Sequence, residues 1–405
     1  MLPSSILSFN LFLRLLPPVI RPALCAALLL FGLLSIANSQ PFARFTRSLE
    51  LQPDSARKVL LIDRYLSQHP CPIVEHSNVY FVYRGKGLAA ASPGDLNGWN
   101  PAAAPMTRIS GTDLFMRFDT LPYDARVEYK IWVDSAWILD PLNPRKALGG
   151  FGENSELRMP GYVLPASDTT RLPGRSADTI WLKSDALHRT VPVYVLSPTG
   201  VTGGAKLPVV YVTDGGEYMT LGRLDAALDR LVTAHAIRPV LGVFIDPRTD
   251  PHDRSSNMRM TDYAASDAFL DFLEKELSPL LERRYGISGN PRDRLILGAS
   301  MGGLIATYAV LKKPGFIANC ASQSPAYWQA DSAVVRLLRP MQRCVGDFYI
   351  QTGTIHDTQT EALLVSTLLR ERGAAVTYEE YHEGHNWGNW KTKLDSILTH
   401  FFAAR

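Results

Sequence analysis

Cysteine is scarce in this sequence: four residues in a chain of 405 are too few for a disulfide scaffold, so the fold must rest on a buried core. Cys25 lies in an N-terminal apolar run, leaving Cys71, Cys320 and Cys344. Cys320 and Cys344 sit at the edges of two expected neighbouring strands with a short loop between them, so in an oxidising compartment they could pair; buried free thiols are the competing expectation. An excess of charge is also missing. The 42 Lys and Arg nearly balance 39 Asp and Glu, a formal +3 that implies no nucleic-acid partner. Internal repeats and low-complexity tracts are absent, and a chain 46% hydrophobic and 20% charged is not a disordered one.

What the chain does have begins with residues 1–39. Arg14 and Arg21 flank an apolar region, "ALCAALLLFGLLSIA" follows, and Ala37-Asn38-Ser39 offers small residues before Gln40. This pattern predicts a signal peptide and export to the periplasm or the medium, with no stable membrane association after cleavage. The alternative is an uncleaved anchor, although the run from Ala23 to Ala37 is short for a spanning helix. Removing residues 1–39 takes away two arginines and leaves a formal charge of +1.

Past Gln40 a polar segment holds one amphipathic helix, "SARKVLLIDRYLSQ". Short strands then follow one another: "VYFVYRG", "LFMRFDTL" and "VEYKIWVD" are separated by Gly, Pro, Asn and Asp turns, as in a small immunoglobulin-like β-sandwich. The Pro-rich "RMPGYVLPASDTTRLPGRS" reads as a linker, which divides the chain into residues 40–165 and 166–405. In the second part, strands "VPVYVLS", "PVVYVT", "VLGVFID", "RLILGA", "ANCASQS" and "DFYIQTG" alternate with helical runs such as "YAASDAFLDFLEKELSPLLERRY" and "TEALLVSTLLRERG". Alternation of this kind predicts an α/β fold with a mostly parallel sheet covered on both faces.

Within that frame, "RLILGASMGGLIATYAVLKK" runs from a strand through Gly-x-Ser-x-Gly directly into a helix. This is the setting of a nucleophile elbow: Gly298 and Gly302 let strand and helix approach closely while Ser300 takes a strained conformation that exposes its hydroxyl. A serine needs a base, and the base an orienting acid, in the α/β-hydrolase chain order of Ser, acid, His. Downstream histidines are His356, His382, His385 and His400. His385, in "YHEGHNWGNW" between the last expected strand and the final helix, is the chosen base; His382 lies closer to the strand and His400 in the helix. Asp357, just past the strand "DFYIQTG", is the chosen acid, and Glu361 the alternative in the following helix. The backbone N–H of Met301 and that of Gly216 in "PVVYVTDGGEYM" are the expected oxyanion donors. Arg254 and Arg259 in "DPRTDPHDRSSNMRM", together with Trp328, are candidate substrate contacts. His356, Asp357, His382 and His385 invite a metal-cluster reading, but no HExxH motif is present and the elbow would go unexplained. The expected chemistry needs neither metal nor cofactor.

"VVYVTDGGEYM", "VLGVFID", "FLEKELSPLLERRY", "GASMGGL", "SQSPAYW" and "EGHNWGNW", in that order over residues 176–405, resemble the enterochelin-esterase branch of the putative esterase family, which also includes feruloyl esterases and mycolyltransferases. That resemblance implies an α/β-hydrolase domain with Ser300, Asp357 and His385 as triad and Met301 and Gly216 as donors. "TGTIHD" is one residue longer than the Gly-Thr-x-Asp form of some relatives. In the first part, "GDLNGWNP", "YKIWVDSAWILDP" and "GENSE" resemble the early-set domains of glycogen-branching enzymes and of the AMP-activated kinase β subunit. By that likeness Trp99, Lys130, Trp137 and Asn154 match sugar-contacting positions. Enterochelin esterases, however, use a related domain to shape the active site without binding polysaccharide, and that role is the expected one here.

The function expected from these readings is an exported serine carboxylic-ester hydrolase working through an acyl-enzyme. Siderophore lactones and hydroxycinnamoyl or acetyl sugar esters are its candidate substrates. An acyltransferase with the same triad and a non-catalytic carbohydrate-binding protein are the alternatives, and the oligomeric state is left open.

Overall fold

A computed structural model describes residues 41–164, 177–198 and 206–404; the signal-like run at 1–39 and the division at 165/166 lie outside the described residues. The N-terminal unit opens with two helices, Pro41–Leu51 and Ser55–Gln68. The second covers the residues read as a helix and is capped by Asp54, whose carboxylate accepts from the backbone N–H groups of Ala56 and Arg57. The first, read only as a polar segment, is a helix that buries Phe42 and Leu49, seven positions apart, on one face.

Ten short strands follow, β1 to β10 in chain order: Ile73–Glu75, Asn78–Arg84, Ala90–Ala91, Thr107–Arg108, Leu114–Thr120, Arg126–Tyr129, Ile131–Val133, Ala136–Ile138, Lys146–Gly149 and Gly152–Arg158. They form antiparallel sheets ordered β1-β2-β5-β4, β6-β10-β9 and β3-β7-β8. β2 is buried on both faces. Val79, Phe81 and Tyr83 pack with Phe115, Val127, Tyr129 and Leu157 in an inner core. Tyr80 and Val82 pack outward against Phe42, Leu49 and Ile62 of the two helices. Residues that alternate along one strand therefore serve two apolar layers, which explains a run of large side chains that a half-exposed strand would not carry.

The second unit holds β11 to β18: Asp178–Ser184, Arg189–Leu196, Val209–Val212, Leu241–Ile245, Arg294–Ala299, Asn319–Gln323, Asp347–Gly353 and Ala375–Tyr381. Their spatial order is β11-β12-β14-β13-β15-β16-β17-β18. β13 to β18 are parallel to one another, whereas β12 runs antiparallel to β14 and β11 antiparallel to β12. β11 was not expected as a strand; it follows the linker and its burial is patchy, as befits an edge. Apolar side chains alternate between two layers: Val209, Tyr211, Ile296 and Cys320 face one, while Val210, Val212, Leu295, Leu297 and Ala321 face the other. The helix Met301–Lys312 is buried at every residue from Met301 to Leu311, so it is apolar all round rather than amphipathic. Among the described residues no helix is long and apolar enough to cross a membrane.

The chain passes from β13 outward to β14 and returns to place β15 on the other flank of β13. Such a reversal opens a crevice at the carboxyl ends of the two strands, and ligands bind α/β sheets there. The loop after β13 carries Gly216 and the turn after β15 carries Ser300.

Cys71, Cys320 and Cys344 are free and buried, so the pairing of Cys320 with Cys344 is not made. Both belong to one apolar layer, where the Cys320 thiol lies 3.5 Å from Thr307 Oγ1. Burial pushes the Cys320 thiol up to about 12 and that of Cys344 up to about 11.

Candidate active site

Ser300 stands between β15 and the helix Met301–Lys312 with φ 57° and ψ −116°, a backbone conformation costing a non-glycine residue about 1–3 kcal/mol. Its surroundings hold it there. Ser300 N–H donates to Gln323 O (2.8 Å), and Ser300 O accepts from Leu304 N–H (3.1 Å) and Ala326 N–H (3.0 Å). A Cβ at Gly298 would overlap the backbone of Gly302, and a Cβ at either glycine would overlap Thr213 Oγ1. The elbow can be this tight only with glycine on both sides of the serine.

Asp357 follows β17 and its side chain is fully buried; His385 follows β18 and its side chain is about one-third exposed (34%). His385 Nδ1 lies 2.7 Å from Asp357 Oδ1. An ionised carboxylate only accepts, so this contact puts the imidazole proton on Nδ1 and leaves Nε2 as a lone-pair base. The other carboxylate oxygen, Oδ2, accepts from Gly353 N–H (2.6 Å), the Ser324 hydroxyl (2.6 Å) and Asn389 Nδ2 (3.4 Å). Trp390 Nε1 in turn donates to Ser324 Oγ (2.9 Å), and the same indole meets the His385 ring edge-on at 5.1 Å. Beneath them Gln323 Nε2 bonds Gln351 Oε1 (2.6 Å) and Gln351 Nε2 bonds Asn389 Oδ1 (2.7 Å), while Tyr218 OH donates to Gln323 Oε1 (2.8 Å). This buried amide chain joins the ends of β16 and β17 to the histidine loop. Ser324, Asn389 and Trp390 had no assigned role in the sequence, although they stand inside the "SQSPAYW" and "EGHNWGNW" segments.

His382 turns away from this centre to Asp124 of the N-terminal unit, with Nδ1 2.7 Å from Oδ1. His400 Nε2 pairs with Asp347, and Glu361 lies in the first turn of the helix Gln359–Glu371. Among the described residues no three His, Cys, Asp or Glu are arranged to hold a metal ion.

Asp214, with φ 51°, turns the chain from β13 into the short helix Gly215–Thr220. Gly215 packs against the backbone of Phe244 and Ile245, and a Cβ on Gly216 would come within 2.6 Å of Arg248 and Asp246. The N–H groups of Gly216 and Met301 belong to first helical turns and have no acceptor within their helices. Arg259, a candidate substrate contact, serves as a strut in the scaffold: Nε donates to Asp214 Oδ1 (2.8 Å) and Nη2 to Ala299 O (2.9 Å). It ties the loop after β13 to the elbow after β15. Burial pushes the Asp214 carboxyl up, and Arg259 opposes that rise.

Gly216 also lines a cleft of about 450 Å³, with Tyr194, Glu217, Met219, Arg248 and Arg254 on the sheet side. Leu148 and Gly150, from the β9–β10 hairpin of the N-terminal unit, form the facing wall. Phe151 at the hairpin tip is fully exposed, and Trp328 is 47% exposed. Arg254 stays on the cleft, while Arg248 is held by Asp246 through Nε (2.8 Å) and Nη2 (2.5 Å).

Of the four sugar-contact candidates, two are committed to internal partners. Trp99 Nε1 donates to Asp95 Oδ1 (3.2 Å) and Asn154 Nδ2 to Glu128 Oε2 (2.8 Å). Trp137 stays 46% exposed on β8, opposite Trp132 of β7, and Lys130 is half-buried between β6 and β7.

The putative esterase family model matches residues 184–401. An iron(III) enterobactin esterase of Escherichia coli O6:H1 is 30% identical over 193 residues, 47% of this chain and 46% of that protein. A siderophore triacetylfusarinine C esterase of Aspergillus fumigatus is 24% identical over 219 residues, 50% of this chain and 65% of that protein. The chain thus spans about half to two-thirds of these curated relatives. Among solved structures, the enterobactin esterase of Shigella flexneri superposes with a TM-score of 0.66 at 21% identity, over 80% of this chain and 92% of that one. At that identity the likeness is one of fold, and it is a likeness of α/β-hydrolase type with a mixed sheet. The match over more than half of the chain establishes that the protein belongs to the putative esterase family.

Proposed function

We propose that this protein is a serine carboxylic-ester hydrolase that works through an acyl-enzyme. The observation that carries the reading is the strained Ser300 at the carboxyl end of β15, with the buried Asp357 hydrogen-bonded to His385 at the ends of β17 and β18. In the first step His385 Nε2 takes the Ser300 hydroxyl proton while Oγ adds to the ester carbonyl. The resulting oxyanion is received by the N–H groups of Met301 and Gly216. Collapse breaks the C–O bond to the alcohol, which leaves with the proton held on His385. Water then adds to the acyl carbonyl and gives its proton to His385, which passes it to Ser300 Oγ as the acyl C–O bond to the serine breaks and the acid is released. Asp357 holds the imidazole in one tautomer and stabilises its charged form throughout.

A siderophore-type ester is the substrate class favoured here, because the relatives above are named as siderophore and enterobactin esterases. The cleft of about 450 Å³, lined by Arg254 and by Leu148 of the hairpin, supports a bulky substrate with an anionic or catecholate group. The N-terminal unit, read as an early-set-type sandwich, is proposed as a wall of that cleft, and residues 1–39 as an export signal. A panel of esters offered to the purified protein tests the reading. Turnover of siderophore-type esters, reduced by on the order of a thousandfold in Ser300→Ala, supports it; equal turnover by Ser300→Ala defeats it.

A further inference from the structure

The residue after the proposed base is gripped by the N-terminal unit. Asn386 Oδ1 accepts from Arg126 Nη1 (2.9 Å), and its Nδ2 donates to Asp95 Oδ2 (2.8 Å). Both partners lie in the N-terminal unit and both are buried; Arg126 is 1% and Asp95 4% exposed. Arg126 is itself fixed by Glu156 through Nε and by Glu128 through Nη2 (2.8 Å), with Glu383 Oε2 3.7 Å from Nη1. Asp95 also accepts from the backbone N–H of Glu128 (2.7 Å) and from the Trp99 indole. A planar fork with its donors already directed has little freedom to follow a moving loop, so the grip is stiff.

The loop's own sequence is shaped to admit this grip. A Cβ on Gly384 would overlap the Asp95 carboxylate, and one on Gly388 would overlap the Arg126 guanidinium. Arg126 N–H also donates to His382 O (3.0 Å), so the segment on both sides of His385 is tied to β6. Asn386 has a second task, since Oδ1 also caps the helix Trp387–Lys391 by accepting from Asn389 N–H (3.1 Å).

We propose that Asn386 is a positioning residue for His385, and that the N-terminal unit, through Arg126 and Asp95, sets the height of the imidazole above Ser300. The proposal rests on the reading of His385 as the base. It gives the N-terminal unit a part in the acid–base step, apart from any contact it makes with substrate. A displacement of about 1 Å at a reacting group can cost on the order of a hundredfold in rate. The cost would fall on kcat, because the substrate-binding walls are untouched.

Asn386→Ser separates the two tasks of the side chain, since serine can still cap the helix but is too short to bridge Arg126 and Asp95. In the full chain, with a p-nitrophenyl ester, Asn386→Ser is expected to lower kcat roughly ten- to a hundredfold with KM within about threefold of the parent. Labelling by a fluorophosphonate should slow in the same proportion. Gly388→Ala, which leaves every polar group of the bridge in place and displaces the guanidinium, should give the same kinetic pattern. It is the second test if Asn386→Ser fails to fold. A folded variant of either kind whose kcat stays within threefold of the parent overturns the proposal, as does a loss confined to KM. His385→Ala separates the proposal from its premise: if it keeps the parent's turnover, the base assignment itself is wrong, whereas an inactive His385→Ala beside an unimpaired Asn386→Ser removes only the positioning role.

Discussion

Asp357 and His385 meet 2.7 Å apart across the ends of β17 and β18, the carboxylate wholly buried and the imidazole one-third exposed. Three further donors hold the acid, so it can fix the ring through Nδ1 and leave Nε2 as the base nitrogen. Asp357→Asn keeps the shape but presents an amide that can donate, which inverts the imidazole tautomer. Turnover should fall by roughly a thousand- to ten-thousandfold with little change in Tm. Glu361→Gln, in a helix turn away from the histidine, should stay within about threefold. Steady-state kinetics on the two variants decides whether the assignment of the acid is right.

His382 and His385 are three residues apart and meet different partners. The His382–Asp124 pair is exposed, and such pairs are worth about 0–1 kcal/mol. His382→Ala should therefore keep activity within roughly tenfold, whereas His385→Ala should match Ser300→Ala. A more sensitive His382 would reverse the assignment.

Removal of the hydroxyl that links the Trp390 indole to the acid should also register. Ser324→Ala takes one charge-assisted hydrogen bond from Asp357 and leaves the Trp390 N–H without its acceptor. We expect kcat to drop about tenfold and stability by about 1–3 kcal/mol. Unchanged kinetics would make the Ser324 contact dispensable.

The backbone of Ser300 stores strain that a glycine would not. Ser300→Gly should raise Tm, by an amount on the order of 1 kcal/mol in stability, while turnover is lost. Thermal melts of Ser300→Gly and Ser300→Ala side by side separate relief of strain from loss of the hydroxyl.

Burial between the two units pushes Glu383 up to about 7, with Arg126 and Lys393 opposing and Glu128 and Glu156 adding to the rise. Burial likewise pushes Asp95 up to about 7, with Glu128 adding to the rise and Arg126 opposing it. A raised folded-state value means that the folded protein holds the proton longer than the unfolded chain. The stability linked to these groups is complete below about pH 4 and is lost as pH rises through about 7. Tm should therefore decline between pH 5 and pH 8, and Glu383→Gln, which cannot ionise, should show a shallower decline than the parent. An equal slope in both proteins would remove Glu383 from the account.

The readable parts of the sequence were those where one local pattern decides the outcome. Alternating strands and helices foretold the sheet from β12 to β18, and Gly298 and Gly302 foretold the closeness of strand and helix at Ser300, because steric exclusion at a glycine depends on its immediate neighbours. Less could be read where partners are remote. Arg126 and Asn386 are 260 positions apart, and nothing in "RVEYKIWVD" marks the arginine as one that will be buried among carboxylates. The strut role of Arg259, offered by the sequence as a candidate substrate contact, could not be read locally, since its two acceptors lie 40 and 45 positions away. The helix Pro41–Leu51 was less legible because its two buried residues, Phe42 and Leu49, find their partners in the second helix and on the outer face of β2, which a short local pattern does not reveal.

The most direct test of the account is covalent. The protein treated with a fluorophosphonate, digested and mapped by mass spectrometry should carry one adduct, on Ser300, with ester turnover lost in step with labelling and no adduct in Ser300→Ala. An adduct on a different serine, or full labelling of a protein that still turns over ester, would contradict it.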